Sequence, residues 1–254
     1  KKKFEYAIVA TNSDVRKKIL IKLINKFKIN NFLIEKIAFN DTKDYYKIIK
    51  KFKTLESNIY INYTRNYTPA YMKLAKEIDQ NKPVSIEVFG QNWNLASNSF
   101  HYLSLFSFFI GKKNVFIKNA KLSKPFKSKR NGFFEFNGFL EIKTNDDDVL
   151  TLSDQGSYKN NEYIIIKNNF KIYIIFKKHK KIVKINLKNG RENKYENFNV
   201  LPQSKMTLKL IGINRSKVKY NDLYLNYEND IVLLDFFKNT FKKYNKNLIK
   251  VPIT

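Results

Sequence analysis

Residues 5–14 read EYAIVATNSD, and this stretch decides how the first third of the chain folds. Glu5 to Ala10 is a short apolar run, as carried by a strand buried in a parallel sheet. Thr11-Asn12-Ser13-Asp14 then supplies the residue types that cap a helix N-terminus. Val15, Ile19, Leu20, Leu23, Ile24 and Phe27 follow at helical spacing and predict a helix to about Phe27. Phe32 to Lys36 (FLIEK) is a second strand. Asp41 to Asp44 opens a second helix whose apolar stripe is Tyr45, Ile48, Ile49 and Phe52. Asn58 to Asn62 (NIYIN) is a third strand. The order βαβαβ implies parallel strands joined by crossover helices.

The pattern changes at Pro83. Ser85 to Phe89 is a strand, and about Ala96 to Ile110 a helix. Strand-like runs follow at Asn114–Lys118, Phe133–Lys143, Val149–Ser153, Glu162–Lys167, Lys171–Phe176, Ile182–Leu187 and Lys194–Phe198. Asn168-Asn169 and Asn189-Gly190 lie between such runs as hairpin turns. Lys177 to Lys181 reads as a hairpin tip. Two further helices are expected around Ser204–Ile213 and Asp230–Tyr244. This half predicts a large, mostly antiparallel sheet with helices on one face, so the fold class is α/β throughout.

With 43% hydrophobic and 15% aromatic residues, the 254-residue chain has enough apolar mass for a core, which excludes a disordered protein. The absence of cysteine excludes disulfides, thiolate metal sites and a cysteine nucleophile. Two histidines, His101 and His179, are too few for a polyhistidine metal site, and no metal is expected. The longest apolar stretch, Phe100 to Gly111, is far short of the roughly 20 residues a membrane span needs. A soluble, cytoplasmic protein with no membrane partner is expected. The chain starts at Lys1 and not Met, so it reads as processed or as a piece of a longer frame.

The formal net charge is +27, which invites a nucleic-acid reading. Only Arg16, Arg65, Arg130, Arg191 and Arg215 are arginine, however, and the lysines are spread along the chain. Base-edge and bidentate phosphate recognition favour arginine. A/T-rich codon usage accounts for the lysine, asparagine, isoleucine, phenylalanine and tyrosine together, and no specific nucleic-acid partner is expected.

Four motifs carry possible chemistry. Val9-Ala10-Thr11-Asn12 is a strand end running into a helix start, where open α/β sheets bind ligands. Glu35-Lys36 ends the next strand. Asn62-Tyr63-Thr64-Arg65 follows the third, with Pro69 behind it. Asn92 to Leu105 holds the sole tryptophan, Trp93, together with Asn98 and His101. A histidine on an apolar helix is, by itself, more often a core residue than a catalyst. Residues 1–89 contain no glycine, so the glycine-rich turn that lets a dinucleotide pyrophosphate approach the backbone is absent from this stretch.

In their order and spacing these motifs resemble the glucose–fructose oxidoreductase/inositol dehydrogenase/MocA (Gfo/Idh/MocA) family of NAD(P)-dependent oxidoreductases. Val9–Asn12 is similar to its "IATPN" strand end. Glu35-Lys36 matches its "EKP", with Ile37 in place of proline. Asn62–Arg65 with Pro69 resembles "N-x-x-R-x-x-P", and His101 the histidine of "D-x-G-x-H-x-x-D". Trp93 to Gly111, Leu201 to Thr207 and the terminal Pro252-Ile253-Thr254 resemble one subgroup. Ser97, Ser99 and Ser104 depart from the motif's Asp, Gly and final Asp.

The resemblance implies a partial Rossmann-type nucleotide-binding domain over 1–80, the C-terminal half of its parallel sheet. An α/β substrate and oligomerisation domain would span 81–254. The family's glycine-rich βαβ unit would lie before Lys1, making this a truncated form or fragment. By resemblance, NAD or NADP would be held by Thr11, Asn12, Glu35 and Lys36. Lys36 and His101 would be catalytic, with His101 the acid/base and Ser104 on its helix face in place of Asp. Asn62, Arg65, Trp93 and Asn98 would face a sugar or nucleotide-sugar substrate, and the sheet would make a homo-oligomer. The alternative is a non-catalytic binding or assembly module retaining the fold.

Overall fold

The computed structural model describes residues 1–155, 163–188, 190–196, 198, 202–212 and 222–254. Three parallel strands, β1 (Lys3–Val9), β2 (Lys28–Ile34) and β3 (Asn58–Ile61), form one sheet in the order β1-β2-β3. Helices α1 (Ser13–Lys26) and α2 (Thr42–Lys53) make the crossovers. Asp41 caps α2 by accepting from the Lys43 amide at 3.1 Å. Asn12 stands at the N-cap of α1 but makes no side-chain capping bond. Instead Ser13 donates to the Ile253 carbonyl at 3.0 Å, so the C-terminal segment lies against this helix start. Ile34, Ile48, Ile59 and Ile61 are fully buried, and Phe32 meets Phe52 edge-on at 5.1 Å. Each such side chain contributes about 1.5–3 kcal/mol on burial, which holds the crossover helices to the sheet.

A turn of 3-10 helix (Thr64–Tyr67) and a short helix α3 (Pro69–Ala75) lead from β3 to β4 (Val84–Gly90). Sequence reading missed both, because their apolar residues are too few to show a period; Pro69 sits at the first turn of α3, where its missing N–H costs nothing. Helix α4 (Leu95–Ile110) is apolar on most sides and therefore buried. Beyond it come β5 (Phe116–Leu122), the small β6 (Phe126–Lys127) and β7 (Phe134–Glu135) pair, β8 (Gly138–Lys143), β9 (Val149–Asp154), β10 (Tyr163–Asn168), β11 (Lys171–Phe176), β12 (Lys181–Asn186) and β13 (Arg191–Glu196). Eight strands form one sheet in the order β13-β12-β11-β10-β4-β9-β8-β5, antiparallel except for β4 with β9. Helices α5 (Gln203–Gly212) and α6 (Leu223–Lys242) follow.

The architecture is thus the expected parallel sheet followed by a large, mostly antiparallel one. Differences are local. The run 133–143 is two strands, broken before Gly138, whose φ of +127° and approach to the Lys121 carbonyl leave no room for a Cβ. Strand β2 begins at Lys28, ahead of Phe32, because backbone pairing to β1 extends through polar Asn30 and Asn31. The last helix starts at Leu223, ahead of Asp230, where Asp222 accepts from the Tyr224 amide at 2.7 Å. Residue 189 of the Asn189-Gly190 turn, Leu201, and Ile213 at the expected end of α5 lie outside the described residues. No helix among the described residues is long and apolar enough to cross a membrane.

Candidate active site

The three parallel strands each deliver polar residues to one level. Beyond β2 the ladder continues for one more residue, the Glu35 amide donating to the Val9 carbonyl at 3.2 Å. The Asn62 amide donates likewise to the Ile34 carbonyl at 2.8 Å. These bonds hold Ala10-Thr11, Glu35-Lys36 and Asn62 at the C-terminal strand ends, around a cleft of about 620 Å³. His101 from α4 lines the same cleft, as do Arg16, Arg130, Gln203 and Thr207. Five sequence-selected residues therefore meet here: Thr11, Glu35, Lys36, Asn62 and His101.

Glu35 is fixed by two amides, Asn62 Nδ2 at 2.6 Å and Gln203 Nε2 at 2.8 Å. Asn62 Nδ2 also reaches Thr207 Oγ1 at 3.1 Å. Lys36 Nζ donates to the Ser97 carbonyl in the first turn of α4 at 3.1 Å, joining the parallel sheet to the helix that carries His101. Burial pulls the Lys36 ammonium down to about 8; Glu135 and Glu35 oppose the shift and Arg65 adds to it. Burial also holds the His101 imidazole well below the usual histidine range, and the nearby Arg65, Lys36 and Lys177 cations push in the same direction. His101 is therefore neutral near pH 7. Its ring lies 5.9 Å from that of Tyr63, edge-on. His101 Nδ1, Thr11 Oγ1 and Asn62 Oδ1 are buried with no hydrogen-bond partner, three polar atoms that a ligand in the cleft could satisfy.

The start of α4 is held by two buried carboxylates. Asp154 accepts from the Trp93 amide and Glu135 from the Ser97 amide, each at 3.1 Å. Burial raises both acids, Asp154 to about 6. Arg65 and Asn98 stand beside the cleft, with Arg65 Nη2 3.4 Å from Asn98 Oδ1. Trp93 is a buried core residue that does not line the cleft: its indole N–H donates to the Ser153 carbonyl at 3.0 Å and its ring meets Tyr102 edge-on. Asn12 is exposed beside α1 and does not line the cleft. Ser104 is buried and spends its hydroxyl on Asn66 Nδ2 (2.9 Å) and Asn226 Oδ1 (3.3 Å), so it does not support His101. Sequence reading passed over Arg16, Arg130, Gln203 and Thr207. The two arginines had one usable signal, their rarity among 44 lysines.

A three-stranded parallel half sheet thus presents its strand ends to a helix-borne histidine across a cleft, in an α/β fold of two sheets. No protein-family model and no curated protein matches the chain. Among solved structures it is similar to a dehydrogenase (MviM) from Clostridium difficile, at TM-score 0.59 and 12% identity over 92% of this chain and 71% of that one. It is also similar to UDP-N-acetylglucosamine 3-dehydrogenase GnnA from Acidithiobacillus ferrooxidans (TM-score 0.64, 10% identity, 90% of this chain, 76% of that). A super-repressor mutant of Gal80p from Saccharomyces cerevisiae has the same fold, with TM-score 0.66, 11% identity, 94% of this chain and 77% of that. The chain therefore has the fold of the Gfo/Idh/MocA-type oxidoreductases that its motifs resemble.

Proposed function

We propose that the protein acts as an NAD(P)-linked oxidoreductase on a sugar or sugar-derivative hydroxyl or carbonyl. The observation that carries this reading is the convergence of Lys36 and neutral His101 with unpartnered Thr11 Oγ1 and Asn62 Oδ1 on one cleft. The nicotinamide–ribose end of a dinucleotide fits this donor and acceptor set, through Thr11, Glu35, Lys36 and Asn62, with Asn12 at its margin. The pyrophosphate end finds no glycine cradle in residues 1–89, and the start of α1 is covered by Ile253. The nicotinamide ring, when bound, accepts or supplies the hydride. His101 takes the hydroxyl proton during oxidation and returns it during reduction. The Lys36 ammonium, protonated below about pH 8, donates to the same oxygen as negative charge develops on it. Arg65 and Asn98 orient the substrate, and Trp93, whose carbonyl accepts from Asn98 Nδ2 at 2.6 Å, holds Asn98 in place.

Saturation-transfer NMR with NADH and NADPH tests this reading. Weak binding is expected, with dissociation constants above the micromolar range, because pyrophosphate contacts normally carry much of the affinity. Nicotinamide protons should receive more saturation than adenine protons, and Lys36→Met should remove the effect. No transfer, or transfer confined to adenine, would overturn the reading. A non-catalytic binding module is the second reading, favoured by Gal80p, a repressor by its name, having this fold. It predicts ligand binding without any hydride transfer.

We further propose that residues 1–80 and 81–254 act as cofactor-side and substrate-side domains, and that the open face of the large sheet joins two copies. Phe89 stacks on Tyr163 at 5.1 Å there, and Ile165 pairs with Ile174 across β10 and β11. Ile165→Lys should convert a dimer to a monomer in light scattering; a wild-type monomer would dismiss the proposal.

A further inference from the structure

The chain is basic almost entirely through lysine, yet all three arginines whose side chains are described stand at one place. Arg16 and Arg130 line the cleft, and Arg65 lies close enough to Lys36 and His101 to act on both. Their employment differs. Arg16 is spent on structure: its guanidinium donates to the backbone carbonyls of Thr11, Ile37 and Ala38. Arg65 has no such commitment. Its guanidinium carbon lies 3.9 Å from the centre of the Tyr102 ring, and its one hydrogen bond, to Asn98, is a long 3.4 Å. Nη1 is buried without a partner, and no carboxylate among the described residues pairs with Arg65. Lys177 reaches the same Tyr102, its Nζ 2.5 Å from the phenol oxygen and 5.2 Å from the ring centre.

Stacking on Tyr102 fixes the guanidinium plane and leaves its edge N–H groups in a rigid fork. That geometry matches the paired oxygens of a carboxylate or phosphate. A buried N–H with no acceptor is costly, so a ligand supplying one is rewarded. The carboxylates nearby are already engaged: Glu35 with Asn62 and Gln203, and Glu135 with the Ser97 amide. We propose that Arg65, set on Tyr102 beside His101, forms an anion-binding subsite, so that the substrate is a polyhydroxy compound carrying a carboxylate or phosphoryl group. The substrate class rests on the oxidoreductase reading; the subsite does not.

The test needs no cofactor. The chain has two histidines, and a His179→Gln variant assigns their ring-proton signals in NMR. His101 is faced by Arg65, Lys36 and Lys177, with Tyr63 against its ring. An anion bound among these cations should raise the His101 titration midpoint, saturably, because opposite charge favours the imidazolium. Inorganic phosphate and gluconate are titrated separately, with neutral glucose as control. An effect of phosphate alone assigns a phosphoryl group, and of gluconate alone a carboxylate. Arg65→Gln should weaken the binding about tenfold or more, in line with losing a charged hydrogen bond. Arg65→Lys, which keeps the charge without the fork, should weaken it less, and it also guards against a folding defect in the first variant. If neither anion moves His101, or if the shift survives Arg65→Gln undiminished, the subsite is wrong. If the anion response holds while NADH shows no nicotinamide contact, the subsite stands and the oxidoreductase reading falls.

Discussion

Asp230→Asn is expected to raise the melting temperature at pH 8 and to change it little at pH 5. Asp230 sits on α6, fully buried, with both tyrosine hydroxyls donating to it: Tyr63 at 2.8 Å and Tyr45 at 3.2 Å. Among the described residues no cation pairs with it, and burial raises its carboxyl to about 7 against the two hydrogen bonds. The sign follows from linkage. A carboxyl raised in the folded state binds its proton more tightly there than in the unfolded chain, where the value is about 3.9. Its contribution is therefore fully present below about pH 4 and is lost as pH rises through about 7. Three pH units correspond to about 4 kcal/mol as a ceiling. The amide keeps the shape and carries no charge, so at pH 8 it should gain about 2–4 kcal/mol, roughly 5–15 °C in a chain of this size. Thermal melts of both proteins from pH 5 to 8 measure this. An unchanged difference across that range would show that Asp230 does not titrate there. The consequence reaches the cleft, because Tyr63, which Asp230 holds, packs against His101.

His101→Ala and Lys36→Ala are each expected to lower turnover by about 10²- to 10⁴-fold, the usual worth of positioned acid–base groups. Nicotinamide absorbance, followed against a panel of acidic and neutral sugars, is the assay. The pH profile should distinguish the two roles. His101, held neutral by burial and by three cations, is already competent to accept a proton near pH 7. The rate should hold to about pH 8 and then decline as Lys36 loses its proton and with it the charge facing the reacting oxygen. Lys36→Arg should move that decline to higher pH. Turnover that survives both alanine variants would replace the catalytic assignment by the binding-module reading. Ser104→Asp, by contrast, offers nothing to His101. It would force a carboxylate onto the Asn226 carbonyl oxygen within a buried pair of amides, and a stability loss is the expected result.

Much of this molecule was legible in its sequence, because the signals were local. Apolar runs of strand length, Asp41 at a helix start and helical stripes such as Tyr45, Ile48, Ile49 and Phe52 report burial periodicity directly. The βαβαβ order then places Thr11, Glu35, Lys36 and Asn62 together, since parallel strands bring their C-terminal ends to one edge. No local signal told which polar residues would be shielded from water or what they would meet across more than a hundred residues. Only tertiary packing brought Gln203 and Thr207 to Glu35 and Asn62, and Asp230 to Tyr63. It also buried Trp93 against Ser153, away from the cleft, and turned Ser104 toward Asn226. Chain order and periodicity thus determined the elements and one edge of the site. Burial, which lowers the Lys36 ammonium and the His101 imidazole and leaves Arg65 without a carboxylate partner among the described residues, depends on distant chain segments meeting, and that only the folded structure decides.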